Sequence, residues 1–283
     1  MKNKIGIIGG SGLYNLESLE KVENIKITTP FGAPSSEIVS GEINGIKVYF
    51  LARHGFKHNI LPSEVNYKAN IYALKSLGVN FCLSISACGS LREEIKPGDF
   101  VIPDQIIDFT KNREKTFFGN GVVAHIPFAE PFSNKIREVL INELISNDIS
   151  LHKEATYLCI EGPNFSSKAE SRMFRGFGAD IIGMTNSPEA HLAREASISY
   201  ATLALVSDYD SWQEDAKPLD TADLIAILNS STTKVKEKLA LIIEKINQLD
   251  QEKSIKNVLD FSLLTQKEDF PKEVKEKLET ILK

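Results

Sequence analysis

"KIGIIGGSGLYN", residues 4–15, sets an apolar run of Ile5, Ile7 and Ile8 directly against Gly9, Gly10, Ser11 and Gly12. The pattern predicts a buried strand that ends in a tight turn, with backbone N–H groups free to face an anion. A dinucleotide site needs G-x-G-x-x-G followed by an acid about 20 residues on. Gly10 and Gly12 supply the first pair, but Asn15 stands at the third place, and "NIKITTPFGAP" (24–34) offers no acid. The turn suits a single phosphate at least as well, with the Ser11 hydroxyl adding a donor. A strand-to-loop turn without any ligand is the plain alternative, and an NAD(P)-dependent oxidoreductase is the alternative from another class.

Working outward, "SSEIVSGEINGIKVYFLARHG" (35–55) reads as a hairpin, because two apolar-rich runs flank Asn44-Gly45. Residues 63–77 predict a helix capped by Ser63 and stopped at Gly78. "NFCLSIS" (80–86) and "DFVIPDQIIDF" (99–109) are strand-like, and an amphipathic helix is expected over 134–147 after Ser133. Strands at 155–160, 179–184 and 201–207 then alternate with helices. Ser167-x-x-Glu170 is a capping box, and Ser187-Pro188 fits the cap and first turn of the next helix. A long helix is expected from Asp220 or Thr221 past residue 240, followed by a polar tail of mixed charge. The expected fold is α/β, a single domain with a central mixed β-sheet flanked by helices over 1–247, and a C-terminal helical appendage over 248–283.

Bulk properties exclude several classes. The 283 residues are 42% hydrophobic and 25% charged with net charge −5, an ordinary globular balance that disfavours a nucleic-acid surface. Three cysteines, Cys82, Cys88 and Cys159, form no CxxC pair, so neither a zinc site nor a disulfide framework is indicated. No apolar stretch approaches the ~18 residues of a membrane span, and no signal peptide is recognisable. The expectation is a cytoplasmic enzyme without membrane or nucleic-acid partners.

Six polar segments each follow an expected strand: "GGSG" (9–12), "ARHG" (52–55), "SACGS" (86–90), "EGPNFSS" (161–167), "GMTNSPE" (183–189) and "SDYD" (207–210). Ligands of open α/β sheets bind beyond the carboxyl ends of strands, so these loops should converge on one pocket. Arg53 suits a bidentate grip on an oxyanion, with His54 beside it, and Ser86 and Thr185 add hydroxyls. Singly, Arg53 reads as a surface ion pair and His54 as a core histidine. Together they describe a phosphate site with no P-loop lysine and no metal ligands. Asp208 and Asp210 flank Tyr209, and residues i and i+2 of a strand share a face, so both carboxylates can enter the pocket. Solvated loop acids are the alternative. One desolvated carboxyl with a raised pKa would protonate a leaving group. Phe165, an aromatic in a polar loop, is placed to stack on a flat ligand or to pack locally. His125 also lies in a loop.

These residues resemble a known family. "IIGGSGL" (7–13), "TPFGAPS" (29–35), "LARHGFKHNILPSEVNYKAN" (51–70), "ACGSLREEIKPGD" (87–99), "HIPFAEPF" (125–132), "EGPNFSSKAESRMFRGFGAD" (161–180), "GMTNSPE" and "DYDSW" (208–212) are similar, in order and spacing, to methylthioadenosine phosphorylases. That family lies in the trimeric branch of the purine nucleoside phosphorylases. The resemblance runs from about residue 4 to about 215 and fades in the tail. It implies cleavage of methylthioadenosine by phosphate into adenine and methylthioribose 1-phosphate, with inorganic phosphate as co-substrate and no cofactor or metal. It assigns phosphate binding to Ser11, Arg53, His54, Ser86, the Ala87 amide and Thr185. Met184 would line the ribose, and Phe165 and Ser166 the purine. Asp208 would act on N7 of the departing base, with Tyr209 and Asp210 beside it. Thr221, Leu224 and Ile225 would form the 5′ pocket, and His125 would reach a neighbouring subunit's site in a homotrimer.

Asp208 favours 6-aminopurines, because a carboxylate accepts from an amino group and repels a 6-oxo group. The alternatives are a 6-oxopurine nucleoside or methylthioinosine phosphorylase, and a non-catalytic nucleoside-binding protein. Ser11 and Ser86 stand where threonine is common in the family, and Asn164 where arginine is frequent. Thr221 replaces an apolar residue of the methylthio pocket, which would admit adenosine as a secondary substrate.

Overall fold

The amino-terminal apolar run forms β1 (Ile5–Gly9), buried along its whole length. The computed structural model describes residues 3–10, 18–146, 148–213 and 221–283, with the side chain of Thr221 outside that description. Two parallel strands, β4 (Ile46–Ala52) and β5 (Phe81–Ser90), flank β1. A strand enclosed on both sides by parallel neighbours is covered on both faces, which is why it reads as a continuous apolar run. Beyond β4 lie β3 (Ile38–Ile43) and the edge strand β2 (Glu20–Ile25), both antiparallel. The expected hairpin joins β3 to β4, and positive φ at Asn44 (50°) and Gly45 (72°) gives the mirror-image turn that strand twist prefers.

β2 lies at the edge of the sheet rather than parallel beside β1. The strand that would carry the ribose-binding acid of a dinucleotide fold is therefore not where that fold requires it.

On the other side, β11 (Ser199–Tyr209) runs parallel to β5, and β10 (Ile181–Gly183) lies antiparallel to its far end. β9 (Thr156–Ile160) and β7 (Gln105–Phe109) follow in parallel. β6 (Phe100–Val101) and β8 (Leu151–His152) pair off the main path next to β11. β5 pairs with β1 only as far as Ser84, then pairs with β10 at Gly89 and Ser90. In open α/β sheets an exchange of neighbours of this kind is where a ligand is expected. The antiparallel register pairs Ile181 with Ser90 and Ile182 with Gly89.

Several local expectations need correction. "SACGS" and "SDYD" are not loops: β5 continues to Ser90 and β11 to Tyr209, because each supplies the other's backbone partners up to that point. The 99–109 run is two strands, divided at Pro103, which has no N–H for a ladder. Ser63 caps nothing: helix α1 (Tyr67–Ser76) starts four residues later, and Asn66 accepts from the Ala69 amide. Leu61 to Glu64 instead form a separate turn closed on the Leu61 carbonyl. Ser187 is extended (φ −114°, ψ 131°), and the cap position of α4 (Asn186–Glu195) is Thr185, whose side chain makes no capping bond.

Other expected elements are present. Ser133 caps α2 (Asn134–Leu144), and the Ser167/Glu170 capping box opens α3 (Lys168–Gly176). α5 (Thr221–Asn247) is the long helix; α6 (Lys253–Lys256) and α7 (Lys272–Leu278) lie in the tail. α1 packs on α4, while α2 and α5 pack together and on β11. Among the described residues no helix is long and apolar enough to cross a membrane.

The tail is tied to the body. Phe270, Leu278 and Ile281 are buried in the main hydrophobic cluster. Ser262 accepts from the His125 amide, and Leu264 donates to the Val123 carbonyl. Leu278→Ala should therefore cost about 2–5 kcal/mol, as for other buried leucines. Thermal melts should show a drop of several degrees; an unchanged Tm would make the tail a mere attachment.

Candidate active site

Arg53 follows β4, and its backbone N–H donates to Gly9 at the end of β1. Its guanidinium is buried in the sheet rather than exposed. Nε and Nη2 grip both oxygens of Glu189 at 2.8 and 2.9 Å, and Nη2 also donates to Ser84 Oγ at 2.7 Å. Tyr200 and Ser84 donate to the same carboxylate at 2.8 and 3.0 Å. Burial works against the Arg53 charge, but Glu189 more than offsets it, so the proton is held more tightly than usual. Nη1 makes only a long bond of 3.3 Å to the Ile85 carbonyl. His54 bonds through Nδ1 to the Ile60 carbonyl at 2.9 Å. Burial first, then the Arg53 charge, pushes its pKa down to about 4. His54 is therefore neutral at pH 7, with Nδ1 as donor and Nε2 an acceptor.

Beyond this pair the chain leaves hydroxyls unpaired. Among the described residues, twelve buried side-chain polar atoms lack a partner, and six belong to Ser86, Thr185, Tyr157, Ser166, Ser171 and Asp210. They fall in two groups, Tyr157 with Ser86 and Thr185, and Asp210 with Ser166 and Ser171, and buried polar groups without well-formed bonds are candidates for contact with a polar ligand. Ser86 and Thr185 both approach the buried Tyr157 hydroxyl, and Ala87, next to Ser86, is exposed. The Gly10 backbone is open on its side-chain face, while Ser11 and Gly12 lie outside the described residues.

Asp208 and Asp210 come together over Gly89, as the i, i+2 spacing predicts. A Cβ on Gly89 would lie 3.5 Å from Asp208 Oδ2 and 3.7 Å from Asp210 Cβ. A bulge between Val206 and Asp208 sets this arrangement. Burial, reinforced by Asp210 and opposed by the Ser207 bond, pushes the Asp208 pKa up to about 6. Ser207 Oγ lies within bonding distance of both Asp208 Oδ1 and the Cys88 carbonyl. Its one proton cannot serve both, so the chain is complete when Asp208 is protonated and donates to Ser207. Burial also raises Asp210, with the nearby hydroxyls of Ser171 and Ser166 working against it. Cys88 is a buried strand residue whose thiol is pushed far up, first by burial and then by Asp208, which removes it as a nucleophile.

Two charged residues that organise the site were assigned no role from the sequence. Glu189 is one. Arg113 is the other: its Nη1 donates to the Met184 and Ser187 carbonyls, both at 2.7 Å, and Nη2 to the Glu161 carbonyl at 2.6 Å. Its Nε closes on Glu161 Oε1 at 3.0 Å. It thereby fastens the loop carrying Phe165 and Ser166 to the loop carrying Met184 and Thr185. Met184 packs over Gly162, where a Cβ would meet its sulfur at 2.6 Å. Phe165 is 63% exposed, its ring free to cover a ligand.

Other predicted residues stand apart from this cluster. Tyr209 points to the opposite face, donating to the Glu93 carbonyl and packing on Trp212. Leu224 is half-buried and Ile225 exposed in the first turns of α5, and no side-chain position describes Thr221. His125 is exposed on the segment held by the tail.

Residues 4–245 match the phosphorylase superfamily, and the chain belongs to it. It is 48% identical over 288 residues to an S-methyl-5′-thioadenosine phosphorylase of Thermosynechococcus vestitus, covering 100% of this chain and 99% of that one. A methylthioadenosine phosphorylase from an Antarctic soil metagenomic library superposes with a TM-score of 0.94 at 45% identity, covering 100% and 99% of the two chains. A Schistosoma mansoni adenosine/methylthioadenosine phosphorylase, a variant in complex with methylthioadenosine, superposes with a TM-score of 0.84 at 38% identity over 92% and 96%.

The raised Asp208 carboxyl gives a stability prediction with a definite sign. Its folded pKa of about 6 lies above the unfolded value, so its contribution is fully present at low pH and lost as pH rises through 6. Asp208→Asn removes that penalty. At pH 7 the variant should be more stable by about 2 kcal/mol, and its advantage in Tm should shrink toward pH 4. A variant less stable than the parent at pH 7 would contradict a desolvated carboxylate.

Proposed function

We propose that this member of the phosphorylase superfamily cleaves 5′-methylthioadenosine with inorganic phosphate, releasing adenine and 5-methylthioribose 1-phosphate. The observation that carries the mechanism is the set of buried hydroxyls of Ser86, Thr185 and Ser166 without well-formed hydrogen bonds, together with Asp210 and the desolvated Asp208, beside an arginine already matched by its own carboxylate. Ser86, Thr185 and the Ala87 amide hold phosphate, with Arg53 and His54 behind them and Ser11 completing the grip. The C1′–N9 electron pair leaves with the base, and a phosphate oxygen attacks C1′ on the opposite side. Bound phosphate stabilises the cationic sugar as that bond stretches.

Asp208 serves the leaving group. A protonated carboxyl offers one donor and one acceptor, which matches adenine N7 and its 6-amino group. Protonating N7 gives neutral adenine and leaves Asp208 ionised; solvent restores the proton. Asp210 and Ser166 hold the base edge, Phe165 covers its face and Met184 lines the ribose. A 6-oxo purine would set an acceptor against an acceptor. Thr221, Leu224 and Ile225 surround the 5′ substituent. Tyr209 borders the base site through its backbone. The reaction uses phosphate as co-substrate with no organic cofactor or metal. The exposed His125 reaches the site of a neighbouring subunit in a homotrimer, and the enzyme works in the cytoplasm.

The direct test follows base release from methylthioadenosine, adenosine and inosine, each with and without phosphate. Adenine should appear from methylthioadenosine only with phosphate, and inosine should react at least about 10²-fold more slowly. Adenosine cleaved as fast as methylthioadenosine would assign Thr221 to an open 5′ pocket. Rapid inosine cleavage would overturn the role of Asp208. Asp208→Asn should lower turnover by about 10²–10⁴-fold in a folded protein.

A further inference from the structure

Tyr157 lies on β9, one strand away from the Ser86–Thr185 hydroxyls, and the mechanism above gives it no part. Its side chain is fully buried, yet its hydroxyl makes no hydrogen bond of good geometry. A buried tyrosine normally finds one. Phenylalanine would fill the same space without leaving a polar atom unpaired, so packing alone does not account for the hydroxyl.

The strands show where that hydroxyl goes. Tyr157 pairs with Ile181 on β10, so its side chain stands on the face that Gly183 shares. A Cβ on Gly183 would lie 1.8 Å from the Tyr157 hydroxyl and 2.6 Å from Cζ. The ring therefore crosses the one position of β10 that lacks a side chain, heading for the strand end that carries Thr185. The hydroxyls of Thr185 and Ser86 lie within reach of it there, and neither has another well-formed partner. Three hydroxyls thus share one buried corner, and burial keeps the phenol protonated.

We propose that the Tyr157 hydroxyl is a positioning group for bound phosphate, donating its proton to Ser86 or Thr185 so that those hydroxyls turn their own protons toward the anion. A hydroxyl carries one proton and two lone pairs. Ser86 or Thr185 can accept from Tyr157 from behind and donate to phosphate in front, whereas without Tyr157 nothing fixes the direction of either proton. Gly183 belongs to the same device, since any side chain there would displace the ring. The proposal rests on the placement of phosphate at Ser86 and Thr185 given above.

The experiment compares Tyr157→Phe and Thr185→Val with the parent enzyme, measuring both KM values, kcat and the rise in Tm produced by inorganic phosphate. Tyr157→Phe should raise the phosphate KM about fivefold, the loss of one neutral hydrogen bond. The methylthioadenosine KM and kcat should stay within about twofold, and the phosphate-induced rise in Tm should shrink. Combined with Thr185→Val, the two effects should be less than additive, because the groups form one network. An unchanged phosphate KM in Tyr157→Phe alongside a raised one in Thr185→Val overturns the positioning role alone. No change in either variant removes phosphate from this corner, and the proposal with it. Both KM values rising together with a lowered Tm would make Tyr157 a packing residue and also overturn it.

Discussion

The buried ion pair of Arg53 and Glu189 is the interaction around which the crevice is built. A lone guanidinium in this sheet would carry a desolvation cost of several kcal/mol, and so would a lone carboxylate. Each is tolerable only because the other meets it in bidentate geometry, with Ser84 and Tyr200 taking up remaining capacity. Those four residues come from the end of β4, from β5, from α4 and from β11. The pair therefore fixes four elements at the point where β5 exchanges β1 for β10. Removing one partner would strand the other, at about 3–5 kcal/mol. A loss of phosphate binding in Arg53→Ala would not by itself separate ligand contact from collapse of the crevice.

The same pair bears on the proposed phosphate site. Glu189 already neutralises the guanidinium, so in the proposed mechanism the anion would be met chiefly by hydroxyls and backbone amides rather than by an uncompensated cation. That suits a co-substrate which must leave its resting contacts to attack a sugar carbon. On the base side the chain accepts a matching cost: Asp208 and Asp210 sit close together and desolvated, held there by a bulge and by the missing side chain of Gly89. Stability is lower with these carboxylates ionised, and the proposed reaction would use the proton that burial holds on Asp208.

Much of this was legible in the sequence, because some features are local. The Asn44-Gly45 turn, the Ser167/Glu170 box and the buried β1 run each follow from neighbouring residues. The pairing of Asp208 with Asp210 over Gly89 followed from strand periodicity. Glu189, Arg113 and Tyr157 were not legible in the same way. Glu189 acts across 136 residues of chain, Arg113 on carbonyls that any sequence would supply, and Tyr157 through the absence of a side chain at Gly183. The strand ends at 86–90 and 207–209 looked like loops because small and polar residues compose them. Their ladder partners, which decide the matter, lie about 120 residues away.

The central claim is that a phosphate-sized anion binds at the corner formed by Ser86, Thr185 and the Arg53–Glu189 pair. Crystals soaked with arsenate, a phosphate isostere with anomalous scattering, would locate it directly. The account predicts one strong anomalous peak within hydrogen-bonding distance of Ser86 Oγ and Thr185 Oγ1. A peak elsewhere on the protein, with this corner empty, would contradict it.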